Sequence, residues 1–514
     1  MRPPSVVCRV SLFTLIVAAA ATAPCAAATA KQGPNILFIF ADDQNIKTVG
    51  CYPESFPWVR TPNIDALAAR GVRFHAAYLG SWCMPSRASL LTGRHPHGIE
   101  SMRMAVPYPA STYDPAVARF WPAELRKHGY HTAQIGKWHT GTDAGWGRDW
   151  DHQIVWNRPK HPENAGAYYE RQLLAIDGQE RWVDGYPADN YTDWAIDYIR
   201  GKTRATAPDK PWFLWLCYGS IHGPSKPAAR HKGRYAGAPV PEPKDLFPPR
   251  PGKPAYLELT QAWNRDADGT AIAGKSGEAF GDTSGQGRQT FADFVRQMNE
   301  CVPAVDEGVG RLMAALRETG QFENTLVIYS ADQGFAMGEH GFRTKLGPWD
   351  ANYRSALIVA QPGLTPAGKV CETPMNAPDL TATLLARTGL TVPWPIHGRD
   401  FTPLLRNPAQ AWPHPTVYEH TGQKYGRDVA ATVRDNPAAA EHNRVPFYAV
   451  IVEDRWKYIH YLRAGVGDEL YDLRRDPEEL DNVIAAPANA ARLAQLRTAL
   501  AAELKRTDAG FGVR

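Results

Sequence analysis

The chain has 514 residues, of which 57 are Lys or Arg and 53 are Asp or Glu, and 44% are hydrophobic. This composition excludes an intrinsically disordered chain, a collagen-like fibre and a coiled coil. The formal net charge of +4 is small for this length, so we expect no nucleic-acid partner.

The first residues have the layout of a secretion signal. Arg2 and Arg9 supply a basic start, residues 10–23 form an apolar run, and residues 26–28 (AAA) suit cleavage. The run is too short to span a bilayer, and no later segment reaches about 18 consecutive apolar residues. We predict a signal peptide over residues 1–28 and an exported protein, periplasmic or extracellular, with no membrane partner after cleavage.

Short apolar runs alternate with helical segments in the rest of the chain. This alternation is typical of an α/β fold in which a large, mostly parallel sheet lies between helices. The predicted strands are residues 35–41, 132–135, 212–219, 324–331 and 356–361. The predicted helices are residues 63–69, 86–91 and two helices on either side of Pro303 between residues 291 and 316.

Two stretches rich in proline interrupt this pattern. Residues 223–287 show little periodicity and are predicted to form a surface insertion, either an inert loop or part of a rim that faces a ligand. Residues 393–415 mark a junction between a large α/β domain over 33–400 and a smaller subdomain over 410–514. The subdomain is predicted to contain a small antiparallel sheet and a closing helix, over residues 445–452, 456–462, 469–473 and 490–505.

Polar side chains follow four of the predicted strands. Because active sites in open parallel sheets form beyond the carboxyl ends of the strands, we expect these side chains to meet. They are Asp42, Asp43, Lys137, His139, His222, Asp332 and Gln333.

Three of these side chains are carboxylates, and Gln333 adds an amide oxygen. Crowded carboxylates without a counter-charge would raise one another's pKa and destabilise the site. A divalent cation resolves this conflict, and Ca²⁺ or Mg²⁺ fits oxygen ligands better than Zn²⁺ does. The alternative is that each carboxylate is solvated in its own loop.

Residues 83–94 (CMPSRASLLTGR) form the most specific motif in the chain. Pro85 and Ser86 suit the start of a helix, which would hold Cys83 where amide N–H groups and the helix dipole favour an anion. The segment resembles the signature C-x-P-S-R-x-x-L-L-T-G of the type I sulfatases, which depend on formylglycine and belong to the alkaline-phosphatase-like superfamily.

Other segments are similar to the same family, in the same order along the chain. Lys345 also stands at the place that the family uses for a lysine downstream of its distal metal segment. The similar segments are residues 35–44 (NILFIFADDQ), 129–139 (GYHTAQIGKWH), 330–341 (SADQGFAMGEHG), 454–458 (DRWKY) and 469–477 (ELYDLRRDP). The resemblance implies an alkaline-phosphatase-like α/β sandwich with a small C-terminal antiparallel sheet, and it makes 33–400 the catalytic domain.

The resemblance also implies the nucleophile and the cofactors. Cys83 would be oxidised to formylglycine by a separate maturation enzyme and would hydrate to a gem-diol, one hydroxyl of which attacks sulfur. The ligands of a Ca²⁺ ion, or of Mg²⁺, would be Asp42, Asp43, Cys83, Asp332 and Gln333. Gln333 departs from the commonest pattern, in which Asn or His stands at this place, so its contact with the metal or with sulfate is left open.

The remaining catalytic roles are carried over from the family in the same way. Arg87 would steady the diol, while Lys137 and Lys345 would neutralise charge on the transferring sulfuryl group. His222 would help to protonate the leaving alcohol, and His139 would take a proton from the second hydroxyl of the diol.

The sequence therefore predicts a sulfatase that hydrolyses O-sulfate esters of a small molecule or, more plausibly, of a glycan. Two alternatives stay open. One is a phosphonate or phosphate ester hydrolase of the same superfamily, and the other is a catalytically silent glycan-binding protein. Outside the motifs, His95 and His97 are expected at the surface or in a turn.

Overall fold

The computed structural model describes Met1 and residues 33–104, 111–204, 210–274 and 289–513. The predicted signal peptide lies outside these described residues, apart from Met1. From Gly33 onwards the chain forms one compact unit. The proposed division into 33–400 and 410–514 stays a prediction.

The strands and helices are numbered in chain order. The strands are β1 (Asn35–Ala41), β2 (Val72–Tyr78), β3 (Met102–Met104), β4 (Ser111–Tyr113), β5 (His131–Trp138), β6 (His152–Asn157), β7 (Gln172–Ile176), β8 (Gln179–Val183), β9 (Trp212–Cys217), β10 (Trp263–Arg265), β11 (Ala271–Ala273), β12 (Thr325–Ala331), β13 (Arg354–Ala360), β14 (Lys369–Cys371), β15 (Met375–Asn376), β16 (Thr416–His420), β17 (Glu441–His442), β18 (Val445–Pro446), β19 (Tyr448–Glu453), β20 (Trp456–Tyr461) and β21 (Glu469–Asp472). The helices are α1 (Pro62–Ala68), α2 (Cys83–Thr92), α3 (Trp121–Lys127), α4 (Pro187–Ile199), α5 (Tyr256–Leu259), α6 (Phe291–Glu300), α7 (Val302–Glu318), α8 (Asp350–Tyr353), α9 (Ala377–Thr388), α10 (Thr402–Arg406), α11 (Arg427–Asp435) and α12 (Ala490–Arg506).

A large mixed sheet crosses the molecule in the order β14-β2-β13-β12-β1-β9-β5-β6-β7-β8, with β15 also paired to β2. Its central strands β12, β1, β9, β5 and β6 are parallel; the first four were predicted, and β6 was not. The prediction that residues 356–361 form a parallel strand is wrong in direction, because β13 pairs antiparallel with β12. An apolar run shows that a strand is buried but not which way it points.

Both faces of the sheet are covered, which explains why its strands read as continuous apolar runs. In β1, Ile36, Phe38 and Phe40 pack into the core on one face, and Leu37 and Ile39 pack into the core on the other. Helices α2 and α9 lie against each other on the first side, and α1, α4 and α7 pack together on the second. The result is the predicted α/β sandwich.

A second, four-stranded antiparallel sheet follows in the order β16-β19-β20-β21. Helix α12 covers one of its faces with Leu496, Leu500 and Leu504, which are buried against Ile451 and Leu470. The predicted small C-terminal antiparallel sheet and its closing helix are confirmed. Strand β16 was missed by the sequence analysis because its five residues, TVYEH, carry charge and no long apolar run.

Two other regions refine the sequence analysis. The described part of the predicted insertion, 223–274, contains α5 and the β10–β11 hairpin and contributes buried Leu246 and Trp263 to the core. Its assignment as an insertion stays a prediction. Of the two places expected for His95 and His97, the surface is wrong, since both are buried; His95 caps and His97 lies within the short 3₁₀ turn Pro96–Gly98. Within the described ranges, no helix combines the length and the apolar character that crossing a bilayer requires.

Candidate active site

The carboxyl ends of four neighbouring strands bring the predicted polar residues together. The Asp42 amide donates to the Ser220 carbonyl at 2.9 Å, and the Asp332 amide donates to the Ala41 carbonyl at 3.1 Å. These bonds continue the pairing of β1 with β9 and β12 beyond the strand ends, so the side chains that follow the strands share one edge of the sheet. The residues at this edge are Asp42 and Asp43 after β1, Asp332 and Gln333 after β12, Lys137 and His139 at the end of β5, and His222 beyond β9.

Cys83 is the first residue of α2, which faces this edge. Trp82 before it is extended, with φ −166° and ψ 173°, so the chain turns sharply into the helix. A Cβ on Gly80 would come within 2.4 Å of the Ser86 Cβ, and only glycine allows so close a packing on the first helical turn. The Cys83 side chain therefore lies buried at a helix N-terminus, where the amide N–H groups favour negative charge.

Asp42, Asp43, Asp332 and Cys83 each offer one ligand atom, and these four atoms lie within 4.8 Å of one another. All four side chains are buried. The Asp43 amide donates to Asp332 Oδ1 at 2.9 Å, and Asp43 has a left-handed φ of 57°, a backbone strain of the kind found at functional sites. Burial and the neighbouring Asp42 carboxylate raise the pKa of Asp332 to about 7. Buried carboxylates this close together stay ionised only when positive charge lies beside them.

Three cations from this chain meet these carboxylates. Lys345 Nζ lies 2.6 Å from Asp43 Oδ1, Arg87 Nη2 lies 3.1 Å from Asp332 Oδ2, and Lys137 pairs with Asp42. Against the opposing effect of burial, Lys137 holds the pKa of Asp42 well below its usual value. Each carboxylate thus has one buried cationic partner.

The thiol of Cys83 contacts both a carboxylate and an ammonium group. Its Sγ lies 3.2 Å from Asp42 Oδ1 and 3.1 Å from Lys345 Nζ. Burial and the Asp42 carboxylate together raise the pKa of Cys83 to about 12, despite the nearby lysines. An unmodified Cys83 is therefore a protonated thiol at neutral pH and a poor nucleophile.

The amide of Gln333 reaches the same centre. Its Nε2 contacts Asp43 Oδ1 and lies 3.8 Å from Cys83 Sγ, while its Oε1 is buried without a hydrogen-bond partner. An amide oxygen and nitrogen are assigned from their surroundings, and a cation between the carboxylates would reverse that assignment. Turning the amide over places the unpartnered oxygen toward Asp43 and Cys83. The donor set of carboxylate and amide oxygens therefore fits a hard divalent cation.

His222 stands at the open side of the centre. Its Nε2 is 3.5 Å from Asp43 Oδ2, and its side chain is 21% exposed, whereas the other predicted site residues are almost fully buried. Its Nδ1 donates to the Gly223 carbonyl at 2.6 Å, which leaves Nε2 to face the site. The ring stacks on Tyr168 with 4.1 Å between centroids, and the Tyr169 hydroxyl donates to the His222 carbonyl at 2.7 Å.

All the predicted site residues thus converge, but the sequence analysis missed two neighbours. Arg158 Nη1 lies 3.2 Å from His139 Nδ1, and Tyr168 supports His222. Arg158 directly follows β6, a strand that the analysis did not predict. The apolar Ile154-Val155-Trp156 run was the available signal. Tyr168 lies in a loop and had no such signal.

Comparison with known proteins agrees with this geometry. A model of the sulfatase family matches residues 34–390, and a model of the N-sulphoglucosamine sulphohydrolase C-terminal region matches residues 338–507. The chain belongs to the sulfatase family. It is therefore a sulfuric ester hydrolase with the alkaline-phosphatase-like fold, as the sequence predicted.

Individual relatives resemble this sulfatase over nearly the whole chain. The N-acetylglucosamine-6-O-sulfatase of Bacteroides thetaiotaomicron is 28% identical, covering 92% of this chain and 87% of the relative. The arylsulfatase of Clostridium perfringens is 25% identical, covering 93% of this chain and 96% of the relative. A solved structure of a protein with its substrate D-glucosamine-2-N,6-O-disulfate superposes with a TM-score of 0.76 at 24% identity, covering 93% of this chain and 98% of that one. This last likeness shows the fold.

Proposed function

We propose that this sulfatase removes O-sulfate groups from a sulfated carbohydrate, with Cys83 converted to formylglycine and a bound Ca²⁺ ion. The substrate class is supported by the names of the relatives, among them an N-acetylglucosamine-6-O-sulfatase and a Δ4,5-hexuronate-2-O-sulfatase. Export to the periplasm or the extracellular space, as the N-terminal segment predicts, agrees with a glycan substrate. A 6-O-sulfated glucosamine is the first substrate to assay.

The position of Cys83 is the observation that carries the proposal. Its Sγ contacts Asp42 and Lys345 at the start of a helix, in a buried pocket where a thiol stays protonated. A formylglycine at this position would supply a hydrated aldehyde with two hydroxyl groups. One hydroxyl would attack sulfur, and the second would lose its proton later so that sulfate leaves. A separate maturation enzyme is the partner that this conversion requires.

The residues that would hold the cation are Asp42, Asp43, Asp332 and Gln333, around the formylglycine at position 83. A bound cation supplies positive charge that lowers the pKa of a hydroxyl group and attracts sulfate oxygens. Oxygen donors alone favour Ca²⁺ or Mg²⁺ over Zn²⁺, and we propose Ca²⁺ because it tolerates irregular geometry. Chelation with EDTA should then lower both the melting temperature and the activity, and Ca²⁺ should restore them.

The other side chains bind the sulfate group and move protons. Lys137 pairs with Asp42 and Lys345 pairs with Asp43, and both would neutralise the sulfuryl oxygens. Arg87, fixed by Asp332, orients residue 83. His222 Nε2 lies 3.5 Å from Asp43 Oδ2. Because Nδ1 keeps its proton on the Gly223 carbonyl, Nε2 carries a proton only in the imidazolium form, and in that form it would protonate the leaving alcohol. His139 exchanges a proton with the second hydroxyl of the nucleophile.

The test combines a mass measurement with a substrate panel. Protein from a host that matures sulfatases is digested with trypsin, and residues 74–87 should be lighter by the difference between a thiomethyl and an aldehyde group. The converted enzyme should release sulfate from glucosamine 6-sulfate or another sulfated sugar, and Cys83→Ala should release none.

Two outcomes would contradict the proposal. Faster turnover of phosphate or phosphonate esters than of any sulfate ester would favour the ester hydrolase alternative. The fold is compatible with that alternative, since a phosphonate monoester hydrolase has a similar fold, with a TM-score of 0.68. Binding of sulfated glycans without turnover, by fully converted protein, would favour the silent binding protein.

A further inference from the structure

A buried cation that the sulfuryl transfer does not use lies beside His139. His139 follows β5, and Arg158 follows the neighbouring parallel strand β6, with Trp138 and Asn157 paired at the strand ends. The Arg158 amide donates to the Trp138 carbonyl at 3.2 Å and extends this pairing. The two side chains therefore leave the sheet at the same edge and at the same level.

The guanidinium of Arg158 is held firmly in this place. Its Nε donates to the Ala165 carbonyl at 2.7 Å, and its carbon lies 5.0 Å from the ring centre of Tyr168 and 5.6 Å from that of Trp156. Only 6% of the residue is exposed. Its Nη1 is 3.2 Å from His139 Nδ1 and 3.5 Å from His139 Nε2. The arginine therefore approaches the imidazole with a rigid, desolvated donor.

The chemistry of the two groups dictates the state of the ring. A guanidinium keeps its charge and only donates hydrogen bonds, and its Nη1 lies 3.2 Å and 3.5 Å from the two ring nitrogens, so the charge stands close against the whole ring. A second positive charge at this distance is strongly disfavoured in a buried site. The ring is therefore neutral, with a single proton on one of its two nitrogens.

The other charged groups around the ring agree with this conclusion. Burial, and then the charges of Arg158, Lys137 and Arg87, hold the pKa of His139 well below its usual value, and the Asp42 carboxylate opposes them only in part. These groups come from β1, α2, β5 and the segment after β6. The Trp82 ring, at 6.1 Å between centroids, adds an uncharged contact.

We propose that Arg158 is a positioning residue that holds His139 as a neutral imidazole, the form that can accept a proton from the nucleophile. This inference rests on the proposed function, in which His139 exchanges a proton with the nucleophile. A neutral ring has one unprotonated nitrogen, which can take this proton. The resulting pair of adjacent cations then drives the proton onward and returns the ring to its neutral state.

Arg158→Met and Arg158→Lys test the inference through the pH dependence of kcat/KM for sulfate release. Loss of the positive charge lets His139 bind a proton at higher pH, so the acidic limb of Arg158→Met should move up by about one pH unit or more. Arg158→Lys keeps the charge and should shift the limb less, with a lower kcat at unchanged KM. Arg204→Met is the matched control, because Arg204 is also buried over two aromatic rings but contacts Tyr198 and Trp212.

A second measurement needs no substrate. The ¹⁵N signals of His139, identified by their loss in His139→Gln, should remain those of a neutral ring in the unmutated protein and become those of an imidazolium in Arg158→Met at mildly acidic pH. Unchanged signals and an unchanged acidic limb in a folded Arg158→Met variant would overturn the inference. An enzyme without sulfatase activity would overturn the proposed function instead, while the ¹⁵N comparison would still decide the role of Arg158.

Discussion

Lys345 Nζ lies 3.1 Å from Cys83 Sγ, although 262 residues separate the two in the chain. The lysine follows β12 by a loop, and the cysteine opens α2, so the sheet edge and the helix start meet at this contact. The same Nζ reaches Asp43 Oδ1 at 2.6 Å. One ammonium group therefore connects the nucleophile position with the carboxylates that would hold the cation.

Replacing Lys345 with Met should impair catalysis more than folding. The change removes a buried charge aimed at the transferring group, and we expect kcat to fall by about 10²–10³-fold. Sulfate release under saturating substrate measures this loss. In our proposal a maturation enzyme acts on the unfolded segment, so conversion of Cys83, followed by the mass of its tryptic peptide, should stay complete. A variant with full kcat would contradict the role of Lys345.

Replacing Gln333 with Leu should weaken cation binding. The buried Oε1 has no hydrogen-bond partner, and in our proposal its partner is the cation. Loss of one neutral ligand should lower the affinity for Ca²⁺ by about 10–100-fold, as changes around metal sites commonly do. Titration of the melting temperature with Ca²⁺, in protein stripped with EDTA, gives the affinity without any activity assay. An unchanged titration midpoint would show that Gln333 contacts sulfate instead.

Replacing His95 with Gln should flatten the dependence of stability on acid pH. The rings of His95, His97 and His397 lie 5.2–5.7 Å apart, and burial lowers the pKa of His95 to about 3 from the ordinary 6.5. Between these two values the unfolded chain binds a proton that the folded protein excludes, so stability falls as the pH falls from 6.5 toward 3. At pH 5 this group alone costs about 2 kcal/mol relative to pH 7.

Melting temperatures at pH 7 and pH 5 check this prediction. The difference between them should shrink in His95→Gln, and it should be unchanged in the matched control His128→Gln, because His128 is exposed. An equal difference in all three proteins would show that His95 does not contribute to acid sensitivity.

Replacing Lys457 with Met should destabilise the fold. Lys457 is fully buried in β20, pairs with Asp350 and lies 2.7 Å from Glu479 Oε1. The variant leaves two buried carboxylates without their cation, and we expect a loss of about 3–5 kcal/mol in the free energy of unfolding. Urea denaturation measures it. Lys244→Met is the control, because Lys244 pairs with Glu478 at the surface and should change stability little.

The sequence predicted the elements whose pattern is local. Strand β1 has the predicted bounds, Asn35–Ala41, because seven consecutive apolar or neutral residues are buried on both faces. Helix α12 begins at Ala490 as predicted and ends one residue later than predicted, at Arg506. The direction of β13 could not be predicted, because whether a strand is parallel or antiparallel depends on which strand it pairs with in the folded sheet.

The sequence predicted the site residues that lie in a motif or directly after a predicted strand. Cys83, Lys137, Asp42 and Asp332 all lie where the strand ends and the helix start were expected to bring them. Arg158 was missed, because its contact with His139 depends on β5 and β6 being neighbours in the sheet.

The sequence by itself determined the family and predicted the nucleophile and the carboxylates, because their chemistry depends on residue types at short, characteristic spacings. The tertiary structure decided which charges meet. It buried His95 and His97, stacked Tyr168 on His222, and set a permanent cation against His139. Protonation states depend on burial and on charges a few ångströms away, and both are properties of the folded chain that spacing along the sequence does not contain.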